Sequence, residues 1–157
     1  MIFETQNFTV KAVEEPFVDR DEGGHIRVDC KIAGVKDRTH LTPAQAVECA
    51  RLLMLTGEAY KIAMKNRGVD IIRMNYQDMG NWYYKYNHPE ALIINIFGRV
   101  LGCKHQPFPE AVYLPDRSTG FYDNFKPITA EDEKEIQKQM NLLLKTSAKY
   151  SKELWRI

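Results

Sequence analysis

The sequence lacks an excess of either charge: 22 Lys and Arg face 21 Asp and Glu, leaving a net +1. Bulk electrostatics therefore gives no reason to expect a nucleic-acid partner. No apolar run approaches the roughly 20 residues that cross a bilayer. The opening Met1-Ile2-Phe3-Glu4 lacks the basic-then-apolar order of a secretory signal, so no membrane association and a cytoplasmic location are expected. Cysteine is scarce: Cys30, Cys49 and Cys103 are odd in number and show no C-x-x-C spacing, which fits reduced thiols rather than a disulfide framework. The four histidines, His25, His40, His88 and His105, show neither H-x-H nor H-E-x-x-H spacing, and no metal site is expected. Both the G-x-G-x-x-G and the G-x-x-x-x-G-K-[ST] loops are absent. That removes Rossmann and P-loop readings and leaves no cofactor to expect.

What is present is the composition of one soluble globular domain: 157 residues, 44% apolar and 27% charged, enough to build a core without disulfides or metal. The reading is a single domain over residues 1–157, with a core at about 8–99 and an extension over 100–157. Residues 8–13 read as a strand, and after the turn-prone Asp19–Gly24 a second begins at His25, making an antiparallel pair. There Ile26, Val28 and Cys30 alternate with His25, Arg27 and Asp29, giving one apolar and one polar face.

Thr42, Pro43 and Gln45 spell a capping box with proline at the first helical position, and Arg67-Gly68 marks the far end of a long helix. Its sheet-facing stripe is expected at Ala46, Ala50, Leu53, Gly57, Tyr60 and Met64, with Gly57 permitting close approach of a strand. Val69 to Tyr76 reads as a strand, Gln77 to Pro89 as a polar and aromatic loop, and Leu92–Phe97 as a strand apolar on both faces apart from Asn95, which requires cover on both sides. Residues 98–127 read as a long ordered excursion with a short strand at Ala111–Leu114. A final helix starts at Thr129, with Glu131, Asp132 and Glu133 near its positive end. It carries Ile136, Met140, Leu143, Ser147 and Leu154 along one stripe, which needs either its own fold or a second subunit to pack on.

The chemistry concentrates in Arg73-Met74-Asn75-Tyr76-Gln77 and Ile93-Ile94-Asn95-Ile96-Phe97-Gly98-Arg99. Asn75, Gln77, Asn81 and Asn95 offer amides for a ribose, a base edge or a phosphate, and Arg99 offers a cation for an anion. The opposing reading is that the amides shape turns and Arg99 is solvated. The order of these elements, the Arg-Met-Asn-Tyr-Gln-Asp-Met-Gly-Asn-Trp run and the Ile-Phe-Gly-Arg ending resemble the histidine-triad (HIT) superfamily, in particular a bacterial branch. The likeness extends over roughly residues 16–99 and includes the strand led by His25 and the helix entry at Leu41-Thr42. The stretch from Gln106 through Gly120-Phe121-Tyr122 also resembles that branch. It implies an α+β fold: a HIT-like antiparallel sheet with one long helix packed on it and an additional C-terminal helix.

The same resemblance implies where the family's three alternating histidines would stand, namely at Ala91, Ile93 and Asn95. None of these is a histidine. In the family the middle histidine attacks a nucleotide α-phosphate, and a hydrocarbon at Ile93 has no lone pair with which to do so. His25 matches the histidine that accompanies the triad, and Asn75 the asparagine near the bound nucleotide. The expectation is a nucleotide-binding-like or interaction module without covalent nucleotidyl transfer, its possible ligand a nucleotide or nucleoside phosphate, with His25, Asn75, Gln77, Asn81, Asn95 and Arg99 as ligand-binding candidates. Two alternatives stand beside it: a phosphohydrolase or transferase using His25 or His88 with or without metal, and a structural homodimer whose pocket is filled. The resemblance implies a homodimer, for which the C-terminal helix and Trp82-Tyr83-Tyr84 supply apolar surface.

Overall fold

The computed structural model describes residues 1–155. Five antiparallel strands form one sheet: β1 (Phe3–Glu4), β2 (Phe8–Ala12), β3 (His25–Cys30), β4 (Arg73–Asp78) and β5 (Ile93–Arg99), in the order β1-β2-β3-β5-β4. The helices are α1 (Pro43–Asn66), α2 (Asn81–Tyr86), α3 (Ala130–Thr146) and α4 (Lys152–Trp155). This is the expected α+β arrangement of sheet, long helix and C-terminal helix. No described helix is long and apolar enough to cross a membrane.

The capping box of α1 forms as read. Thr42 Oγ1 accepts from the Gln45 amide at 3.3 Å and Gln45 Oε1 accepts from the Thr42 amide at 2.8 Å, satisfying two otherwise unpaired donors. The expected stripe holds from Leu53 onward, but Ala46 and Ala50 are exposed. The buried arc runs instead through Cys49, Leu52, Leu55, Ala59, Tyr60 and Met64, because α1 is covered on two sides, by the sheet and by α3. Gly57 does allow the close approach: a Cβ there would meet the Tyr76 hydroxyl of β4 at 2.0 Å.

Several elements differ from expectation for physical reasons. β4 starts at Arg73 rather than Val69, because the Val69 amide is taken by Met64 O at 2.8 Å as the chain leaves α1. Val69 and Ile71 are nevertheless buried, which accounts for their apolar character. The loop at 77–89 contains α2, closed by Asn87 in the left-handed conformation with φ 49°. Ala111–Leu114 forms no strand. The Tyr113 backbone pairs instead with the buried Gln106 side chain, which donates to Tyr113 O and accepts from Tyr113 N, both at 2.9 Å. The C-terminal stripe ends with α3: Ile136 and Met140 are buried, Ser147 caps the helix, and Leu154 lies on α4, exposed.

The surface that α3 packs on is α1 of the same chain. Asp132, fully buried, sits in the capping box of α3 and receives Arg20 Nε at 2.9 Å, Arg20 Nη2 at 2.8 Å and Arg67 Nε at 2.9 Å. Burial alone would raise the pKa of this carboxyl, but the hydrogen bonds from Arg20, the Thr129 amide and Arg67 outweigh it and hold it well below the usual carboxylate range.

The sheet separates two apolar clusters. Ile26, Val28, Ile94 and Ile96 face α1, while Phe17, Val18, Phe97 and Tyr122 form a smaller cluster on the other side. The two-sided cover expected for β5 is therefore met by α1 and by aromatic residues flanking the sheet. At the end of β5 the backbone of Gly98 lies against that of Gly23: a Cβ on either would fall 2.3 Å from the other's carbonyl oxygen, and the Gly98 amide donates to Gly24 O at 3.1 Å. Because both partners are backbone, neither can yield cheaply. Gly98→Ala is expected to cost about 3 kcal/mol or more of stability. Urea unfolding of the variant against the wild type measures it, with a loss under about 1 kcal/mol contradicting the contact.

Candidate functional site

The face of the sheet away from α1 carries the polar residues. The strand register sets His25 opposite Phe97, Arg27 opposite Asn95 and Asp29 opposite Ile93. Across the other edge of β5, Gln77 lies opposite Asn95 and Asn75 opposite Phe97. Period-two alternation then places all of these side chains on one face.

A cavity of about 200 Å³ opens on this face. Ile93, Asn95 and Arg27 come from the central strands, and Phe17 comes from the segment before β3. The remaining wall is Met79, Trp82, Tyr83 and His88, contributed by α2 and its flanks. The Phe17 ring meets Trp82 edge-on, with centroids 5.1 Å apart, and stacks in the same manner on Tyr122 at 5.2 Å. Arg27 forms an ion pair with Asp29, Nε to Oδ1 at 3.0 Å, and Asp29 also pairs with Lys11 at 3.0 Å.

His25 lies beneath the cavity rather than in its lining, 1% exposed. Its Nδ1 accepts the Phe17 amide at 3.2 Å and its Nε2 faces Asn95 Oδ1 at 2.9 Å. Burial drives its pKa down from 6.5 to about 3, against the opposing effect of the Asn95 hydrogen bond, with Arg27 and Arg117 adding repulsion. It is neutral near pH 7 and has no access to a ligand, so a role for His25 as a water-activating base is not supported by this geometry.

The other candidates divide sharply. Asn95 and Ile93 are in the cavity, whereas Gln77 is not part of the lining and only accepts from Asn95 Nδ2 through its backbone carbonyl at 3.4 Å. Ala91 precedes β5, half-buried, and is not part of the lining. Asn81 is exposed at the start of α2, beside a separate groove with Lys36, Asp78 and Glu90.

Arg99 is a correction. It is 2% exposed and its donors go to Asn75 Oδ1, Pro107 O and Glu110 O, each at 3.0 Å. Arg99 is not solvated: its terminal nitrogens hold the 106–110 segment and bond Asn75 Oδ1, while Nε makes no hydrogen bond among the described residues. Phe17, Arg27, Met79, Trp82 and Tyr83 were not among the candidates. The alternation on β3 puts Arg27 on the same face as His25, a signal present in the sequence. The aromatic run Trp82-Tyr83 had been assigned to a dimer surface.

Three comparisons bear on this geometry. No family model and no curated protein sequence matches the chain. Among solved structures, a hypothetical histidine triad nucleotide-binding protein from Sulfolobus tokodaii superposes with a TM-score of 0.59 at 16% identity, covering 94% of this chain and 87% of that one. A Hit-like protein involved in cell-cycle regulation from Bartonella henselae, solved with an unknown ligand, superposes with a TM-score of 0.56 at 14% identity, covering 88% of this chain and 84% of that one. The fold is thus that of histidine-triad proteins over most of the chain, as the sequence resemblance implied.

The buried imidazole has a measurable consequence. Its folded pKa lies below the unfolded value, so between about pH 6.5 and 3 the unfolded state takes up a proton that the folded state refuses, and stability falls as pH falls through that window. From pH 6 to pH 5 the wild-type protein is expected to lose about 1 kcal/mol more than His25→Gln. Urea titrations of both proteins at the two pH values test it, and parallel losses would contradict a neutral buried His25.

Proposed function

We propose that this chain binds a nucleoside monophosphate or a ligand of like chemistry, without forming a covalent nucleotidyl intermediate. The observation that carries the reading is the makeup of the cavity on β5. Arg27 supplies a cation, Asn95 an amide, and Phe17, Trp82 and Tyr83 supply aromatic surface for a base, while the central position is the hydrocarbon Ile93. The printed description of one neighbour as nucleotide-binding supports the same ligand class. The volume of about 200 Å³ is below the roughly 300–1,000 Å³ usual for enclosed ligand sites, which favours a mononucleotide held partly in solvent over an enclosed dinucleotide. An open cavity beside Ile93 also weighs against the filled-pocket alternative.

Titration of the protein with AMP, followed by Trp fluorescence and calorimetry, is expected to saturate with a Kd between about 10 μM and 1 mM. Arg27→Ala should weaken binding about tenfold or more. No saturation at millimolar AMP would remove the reading. His88 in the cavity wall favours one second reading, hydrolysis through an activated water. Turnover of a nucleoside phosphoramidate that disappears in His88→Ala would establish it in place of simple binding.

We further propose that two copies pair through β4. Among the described strands it is bonded on one side only, and it carries the exposed Tyr76. Of the other apolar surfaces, the α3 stripe packs on α1 and Trp82 and Tyr83 turn into the cavity, while Tyr84 stays exposed. Light scattering is expected to give twice the 18.2 kDa chain mass, falling to one chain in Tyr76→Glu. A wild-type monomer at about 100 μM would exclude the pairing at that strength.

A further inference from the structure

The segment after β5 carries a second group of polar side chains, away from the cavity on the sheet. Glu22, 9% exposed, receives the backbone amides of Lys104, His105 and Gln106, and its Oε1 also meets His105 Nδ1 at 2.8 Å. Amides only donate, so amides aimed at both oxygens of one carboxyl group make the surroundings of an ionised carboxylate. Such an oxygen accepts, and the Nδ1 that faces it carries the hydrogen, which leaves the lone pair of the neutral ring on Nε2. Nε2 has no partner among the described residues and is not among the buried atoms, on a side chain that is 37% exposed. The ring is steadied by Phe125 and Phe121, with centroids 5.0 Å and 6.0 Å away. His105 lines a groove of about 590 Å³, within the range usual for small-molecule sites. Val112, Tyr113 and Phe121 give this groove apolar walls, and Lys104 and Glu110 add one charge of each sign. It shares no lining residue with the cavity beside Ile93. Cys103 stands close by, but its thiol donates to Val100 O at 3.1 Å and burial pushes its pKa up, so it is not the reactive group.

We propose that this groove is a second, hydrolytic site for small uncharged carboxylic esters with an apolar acyl chain, in which His105 is the general base and Glu22 the positioning residue behind it. His105 Nε2 takes a proton from a water molecule as the water oxygen bonds to the ester carbonyl carbon. The π-bond pair moves onto the carbonyl oxygen, and Lys104 is the cation on the groove wall that this oxyanion can use. When the carbonyl re-forms, the bond to the alkoxy oxygen breaks and that oxygen takes the proton from Nε2. An acid and an alcohol leave, and the imidazole is neutral again. The Glu110 carboxylate on the same wall disfavours anionic substrates, and the apolar walls favour a hydrocarbon chain. The proposal stands apart from the nucleotide reading, since it uses none of the residues of that cavity.

Release of 4-nitrophenolate from 4-nitrophenyl acetate and 4-nitrophenyl butyrate by the full chain measures the activity. Saturation is expected, with kcat/KM about tenfold higher for the butyrate, whose two further methylenes the groove buries. A rate that rises linearly to the solubility limit, or that is no higher for the butyrate, is the behaviour of any exposed imidazole and would overturn the site. His105→Gln should lower kcat/KM about 100-fold, whereas His40→Gln, an exposed histidine outside the groove, should leave it within about twofold. Equal effects of the two substitutions would remove His105 from the reaction. Glu22 is tested by a signal that a purely structural role would not move. Long-range proton–nitrogen NMR should show His105 as the Nδ1–H tautomer in the wild type and a shift toward Nε2–H in Glu22→Gln, with kcat down about tenfold and KM retained. A wild-type Nε2–H tautomer, or a Glu22→Gln protein with tautomer and kcat unchanged, would overturn the pairing. Thermal unfolding checks that the variants fold. If one does not, the butyrate preference and the wild-type tautomer still decide the proposal.

Discussion

The contact between the backbones of Gly23 and Gly98 sets the frame of this molecule. Two carbonyl groups that close leave no room for a Cβ on either chain, and the contact joins the entry of β3 to the end of β5. From there register does the rest. Two residues after Gly23 comes His25, opposite Phe97, and two further on Arg27 faces Asn95. Tyr60 of α1 donates to Gly23 O at 2.8 Å from the opposite side, so the long helix is fastened to the same point. A shift of one residue at this junction would send His25 and Asn95 to opposite faces of the sheet. The His25–Asn95 contact beneath the cavity is therefore a consequence of backbone packing several residues away.

Order in the segment after β5 comes from buried polar side chains standing in for a strand partner. Glu22 receives the amides of Lys104, His105 and Gln106 at 3.0–3.2 Å, Gln106 bonds the backbone of Tyr113 in both directions, and Arg99 gathers the carbonyls of Pro107 and Glu110. Each of these groups is expensive to bury and is compensated by these partners, although Arg99 Nε makes no hydrogen bond. The result matters for the cavity. Gln106 also donates to Phe17 O at 3.2 Å, so the segment that covers the sheet fixes the residue whose amide donates to His25 Nδ1 and whose ring forms a wall.

What could be read from the sequence and what could not follow from this division. Capping at Thr42 and Gln45, alternation on β3 and the two-sided hydrophobicity of β5 are local signals, written in neighbouring residues, and they are found where expected. The phase of α1 was not local. Ala46 and Ala50 share the period of the buried arc but lie off it, since only the docking of α3 decides which arc is covered. Arg99 and Gln106 were illegible for a stronger reason: an arginine bonded to three backbone carbonyls looks, in sequence, like any other arginine after a strand. Within the site, Asn95 was legible as the polar exception on a strong apolar strand, and Ile93 only through the family resemblance. Phe17 was not, because its contribution is a backbone amide, which every residue but proline has.

The same comparison bears on what a site of this kind can do. Reactive groups on a sheet face must be able to change protonation or give up an electron pair, and here the central strand presents a hydrocarbon and an amide. The imidazole beneath the cavity, His25, is held neutral by burial and by a lone pair committed to the Phe17 amide, so it cannot exchange protons with a ligand near neutral pH. Yet it is not inert in consequence. Replacing it with an apolar ring would leave Asn95 Oδ1 unpaired in a buried position, and the amide would be released to turn. The buried imidazole thus has an electrostatic role, carrying the direction of the Phe17 N–H through to the side-chain amide of Asn95.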